Sequence, residues 1–183
     1  MPIPDFDHNY VLPPHLGDPV NRNHLSPYPC TSIELCQKFS HSATRVRILK
    51  NFLSFREQLT NHRVIFGFQW LDGSFLTDIE TIERRPPRDL DVVTFFGGIS
   101  IADQQTILTS FPEFGSSQLA KANYLLDHYA VDYAFRPEVT VEQTRYWIQL
   151  FTHSRLGVWK GMLRIPLNTP NDDRTALDYL NSL

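Results

Sequence analysis

Three observations predict an α+β domain for this 183-residue chain. Apolar residues make up 42% of it and charged residues 20%, which is globular rather than disordered. Four short β-branched or aromatic runs alternate with helical stretches. No internal repeat occurs, and no linker splits off a second domain. The order is arm, helix, helix, strand, turn, strand, helices, strand, helix, strand, helix. It predicts a small mixed β-sheet with helices packed on one face.

The boundaries expected are a proline-rich arm over residues 1–30 and one domain over 31–183. Residues 1–29 hold seven of the 13 prolines, which remove backbone donors and disfavour helix. Phe6, Tyr10, Val11, Leu12 and Leu16 favour an arm that wraps the domain. Thr31 to Phe39 reads as a short helix. Ser42 to Leu59 is a stronger one, because Ile48, Phe52, Phe55 and Leu59 recur at helical spacing behind a Ser40 or Ser42 cap.

Arg63 to Trp70 reads as a buried strand, and Asp72-Gly73-Ser74 as a turn. A helix is expected to start within Phe75 to Ile79, before the charged TIERRPPR loop. Leu90 to Phe96 is the second strand. Ser100 to Ser110 and Ser117 to Tyr124 are helices, and Tyr129 to Phe135 is the third strand. Thr140 with Gln143 suggests a capping box at the start of a helix ending at Phe151. Val158 to Leu167 alternates as a fourth strand, and Asn171 caps a final helix.

Composition narrows the function. A net charge of −3 argues against a protein built to coat nucleic acid. Cys30 and Cys36 are too few for a disulfide scaffold, and no His pair has zinc-site spacing. No run approaches the ~20 apolar residues of a membrane span, so a cytoplasmic protein is the expectation.

The chemistry concentrates in acidic residues. Asp89 and Asp91 in RDLDVV stand at i and i+2, so a strand projects both on one side. Asp132 lies in the third strand run, YAVDYAF. Carboxylates crowded at the start of an apolar strand are costly unless a cation sits between them. A hard divalent ion with oxygen ligands is the natural candidate. The Gly73-Ser74 turn could bring backbone N–H groups and a hydroxyl to phosphate oxygens. Each piece alone has an ordinary reading too: Asp-Gly is a common hairpin turn, and Asp-x-Asp a common solvated edge.

In this order Gly73-Ser74, Asp89-Leu90-Asp91 and Asp132 resemble the minimal nucleotidyltransferases of the DNA polymerase beta-like superfamily. GFQWLDGSF followed by PRDLDVVTF is similar, more narrowly, to a group of stand-alone bacterial nucleotidyltransferase-like proteins. The likeness implies a nucleotidyltransferase fold and Mg2+-dependent transfer of a nucleotidyl group from an NTP to a hydroxyl of a protein or RNA acceptor. It implies phosphate binding by Gly73 and Ser74 and metal binding and catalysis by Asp89, Asp91 and Asp132. It also implies a cognate partner protein, as in toxin–antitoxin or antiviral defence pairs. Fourteen residues separate Ser74 from Asp89, somewhat more than in many such proteins. Lys160 and Arg164 share a face of the fourth strand and are candidates for triphosphate oxygens. The alternative is a catalytically silent, partner-binding module of the same fold.

Overall fold

The computed structural model describes residues 3–183. Met1 and Pro2 of the arm lie outside them. Among the described residues, seven α-helices and five strands form an α+β fold. In chain order these are β1 (Tyr28–Pro29), α1 (Ser32–Phe39), α2 (Ala43–Asn61), β2 (Gly67–Asp72), α3 (Ile79–Glu83), β3 (Leu90–Phe96) and α4 (Ile101–Ser110). There follow α5 (Ser117–Tyr124), β4 (Leu126–Asp132), α6 (Pro137–Phe151), β5 (Leu163–Pro166) and α7 (Pro170–Asn181).

The sheet order is β1-β5-β2-β3-β4. β2 is antiparallel to both neighbours, whereas β3–β4 and β1–β5 are parallel. Alternation sends Leu71, Leu90, Val92, Leu126, Leu163 and Ile165 to one face, where they meet Ile48, Phe52, Phe55 and Leu59 of α2. α1, α4, α5 and α7 add to the same core. The other face carries a second cluster, Trp70, Val93, Phe95 and Val131, covered by Trp147 and Phe151 of α6. This one helix therefore packs on the face the sequence reading left bare. Trp147 and Phe151, one helical turn apart, are what seat it.

The arm is part of the structure. Ile3 and Leu12 join the main core. Val11 bridges to Thr77, and Asp78 N–H donates to the Tyr10 carbonyl at 2.9 Å. Tyr28–Pro29 adds the edge strand beside β5.

Several boundaries differ from the expected ones, each for a local reason. Arg63 sits in the left-handed region (φ 61°), so β2 starts later than Arg63 and runs on through Asp72. Leu125, also left-handed (φ 57°), ends α5 and starts β4 three residues earlier than read. Pro137 is the first residue of α6, which puts Thr140 inside the helix, where it bonds the Tyr133 and Arg136 carbonyls and forms no box with Gln143. Thr169 and Pro170, not Asn171, begin α7. β5 keeps only the second half of the expected strand.

Candidate functional site

The site is built on the last residue of β2. Asp72 lies opposite Asp91 in the β2–β3 ladder, and Asp91 lies opposite Asp127 in the β3–β4 ladder. Side chains at paired positions share a face, and neighbouring strands are about 4.8 Å apart. Asp72, Asp91 and Asp127 thus form a row across three strands. Asp89, two residues before Asp91, keeps to the same side.

The turn after Asp72 is tied down from the helix face. Arg45 of α2 is wholly buried and donates to the Phe75 carbonyl at 2.7 Å and the Thr77 carbonyl at 2.9 Å. Its other donors grip Glu80 at 2.7 and 2.8 Å. Five donors in a rigid fork suit that task, which a lysine could not perform. The anchored turn places Gly73 against the Asp91 carboxylate. A Cβ added there would stand 2.1 Å from Asp91 Oδ2, and Gly73 has φ +87°. Only glycine meets both demands. Ser74 then opens a single 3-10 turn over Ser74–Leu76.

Two lysines answer four carboxylates. Lys160 is ion-paired with Asp72, both side chains buried. Lys121, in the last turn of α5, reaches Asp89 Oδ2 at 2.6 Å. Asp91 is in no ion pair among the described residues. Burial, and then the charges of Asp72, Asp89 and Asp127, push its pKa up to about 7. Burial likewise raises Asp72 to about 6, against the pull of Lys160.

The sequence-derived site loses one of its three carboxylates. Asp132 is not part of it. It stands five residues beyond Asp127 along β4, about 16 Å at ~3.3 Å per residue. An odd step also turns it to the helix face. There it accepts from Gln104 Nε2 at 2.7 Å and from the Ala134 N–H at 2.9 Å. Gly73, Ser74, Asp89 and Asp91 come together as expected. Lys160 is at the site but committed to Asp72. Arg164 pairs with Trp70, one step along the sheet from the carboxylates, and its guanidinium lies 4.2 Å over the Phe68 ring.

Asp72, Asp127 and Lys121 were missed by the sequence reading. A signal existed for Asp127: Leu126-Asp127 repeats the Leu90-Asp91 pattern at the start of a strand. For Lys121 none is visible in the sequence.

The donor chemistry fits a hard divalent cation. Carboxylate oxygens converge, those of Asp91 and Asp127 without an ion-pair partner among the described residues, and the glycine cradle keeps the approach to Asp91 free of side chain. As the side chains stand, with Lys121 and Lys160 drawn in, no three His, Cys, Asp or Glu residues among the described ones form a group that could hold a metal ion.

Residues 4–166 match the model of a family of unknown function (DUF6932). No curated protein and no solved structure matches the chain. No helix among the described residues is long and apolar enough to cross a membrane.

Proposed function

The chain belongs to that family, and for it we propose Mg2+-dependent nucleotidyl transfer, with Asp89, Asp91 and Asp127 as the acidic set. The single observation that carries the reading is the register: Asp91 faces Asp127 across β3–β4, beside a Gly-Ser turn that touches Asp91. The resemblance of GFQWLDGSF and PRDLDVVTF to nucleotidyltransferases supports it, with Asp127 in the part first given to Asp132.

Asp89 and Asp91 would hold the cation, which when bound supplies Lewis-acid neutralisation of phosphate charge. The Gly73-Ser74 backbone and the Ser74 hydroxyl take triphosphate oxygens. Asp127 faces the acceptor and accepts its hydroxyl proton as the new O–P bond forms. The bond from the α-phosphorus to pyrophosphate breaks, and pyrophosphate leaves. Lys160 keeps Asp72 ionised and fixed, so that it presses on Asp91. The resemblance supports a protein or RNA acceptor and a cognate partner protein of the toxin–antitoxin or phage-defence kind.

The test uses the full chain, Mg2+ and each NTP labelled at the α-phosphate, with a cell extract as acceptor source. Label transferred to a macromolecule by the wild type, lost in Asp91→Asn and in Asp127→Asn, is the expected result. Transfer that persists in an Asp89→Asn/Asp91→Asn double variant would falsify the assignment. Absence of transfer together with absence of a Mg2+-linked thermal shift with a non-hydrolysable NTP favours the silent partner-binding module.

A further inference from the structure

We propose that Lys121 is a displaceable internal counter-ion, its ammonium standing where a divalent cation would sit and leaving when that cation binds. The inference rests on reading the acidic row as a cation site. It goes further in naming the residue that sets how readily the site loads.

The two lysines of the cluster differ in kind. Lys160 has a side chain 5% exposed and is paired with a buried Asp72, so it has nowhere to go without leaving a buried charge behind. The Lys121 side chain is 54% exposed and approaches from solvent. Its backbone is held, since its carbonyl accepts the Leu125 N–H at 3.1 Å in the turn that ends α5. A long stem on a fixed base lets the ammonium swing into water at little cost.

Position makes the exchange obligatory. The Lys121 ammonium bonds Asp89 at 2.6 Å, and the field of Asp127 and Asp91 also reaches it. Asp89 and Asp91 are the two carboxylates assigned to the cation, and Asp127 is their neighbour in the row. A divalent ion at Asp89 would lie within a few ångströms of the ammonium. At ~4 Å, like charges repel strongly in a partly buried setting. One cation therefore replaces the other.

The experiment titrates the full-length protein with Mn2+ alone, free Mn2+ being read by electron paramagnetic resonance. Lys121→Met removes the charge and keeps the stem, Lys121→Gln is a second neutral variant, and Lys121→Arg keeps the charge. The neutral variants are expected to bind Mn2+ about tenfold tighter than wild type, with Lys121→Arg close to wild type. Asp91→Asn abolishes binding. In parallel, amine acetylation of Lys121, read by mass spectrometry, rises when Mn2+ is added to the wild type and stays flat in Asp91→Asn. Equal Mn2+ affinity in wild type and both neutral variants, with Asp91→Asn still defective, overturns the counter-ion role and leaves the cation site standing. Binding unaffected by Asp91→Asn, or no binding in any variant, overturns the cation site itself and the inference with it. Acetylation unchanged by bound Mn2+ also overturns the displacement.

Discussion

The strands β2, β3 and β4 carry a polar row on each face, and the two rows are resolved in opposite ways. On the helix face, Arg56 donates to Gln69 at 2.7 Å, Gln69 to Thr94 at 3.0 Å, and Thr94 meets His128 at 2.8 Å. Arg56 also grips Asp173 of α7 at 3.0 Å. The one ionised pair is matched, and His128 is held neutral because burial drops its pKa to about 3. On the other face, four carboxylates share two lysines, and Asp91 is left with a pKa pushed to about 7. A polar network in which each ionised group is paired specifies packing. A row with surplus charge works against the fold, and in the proposed reading a cation supplies the missing charge.

Breaking the closed row has the largest expected effect. Arg56→Ala strands Asp173 and Gln69 and should lower stability by about 3–5 kcal/mol in urea unfolding. If the variant unfolds within ~1 kcal/mol of wild type, the helix-face network is not what holds α7 to the sheet.

Next comes Gly73→Ala. It puts a methyl on the Asp91 carboxylate at a left-handed backbone position. A loss of about 1–3 kcal/mol follows from the backbone strain, along with loss of nucleotidyl labelling. Normal labelling by this variant would remove the reason for a glycine in the turn.

Asp91→Asn acts with the opposite sign. The folded-state pKa of Asp91 is raised, so the charge it carries at neutral pH is one the fold resists. Its stabilising contribution is full below about pH 4 and lost as pH rises through about 7. Burial first, and then Asp72, Asp89 and Asp127, enforce this, and Lys160 opposes it. The variant should match wild type near pH 4 and exceed it by on the order of 1–2 kcal/mol at pH 8 without added metal. Melting curves across that range check it. A gap that is flat or inverted with pH would mean that the acidic row is already neutralised.

Asp132→Asn is the smallest change. It weakens the bonds to Gln104 and Ala134 and should cost about 1 kcal/mol or less. Labelling should survive at wild-type level, in contrast to Asp127→Asn. If the two variants trade outcomes, Asp132 and not Asp127 is the third functional carboxylate.

Local information carried much of this protein into view. Apolar steps of four, three and four in α2, the β-branched run of β3, and the alternation that pairs Asp89 with Asp91 all depend on neighbours in the chain, so the sequence by itself determined them. The third carboxylate did not depend on neighbours alone. Shifting the start of β4 by three residues, through one left-handed residue at Leu125, exchanges every side chain between faces. Asp127 and Asp132 swap places for that reason. The partners of the acidic row are likewise tertiary: Lys160 stands 88 residues from Asp72, and Lys121 reaches Asp89 only because α5 packs against β4, which places it next to the neighbouring strand β3. Burial and the summed field of groups distant in sequence decide which carboxylate is left uncompensated, and only the folded chain brings those groups together.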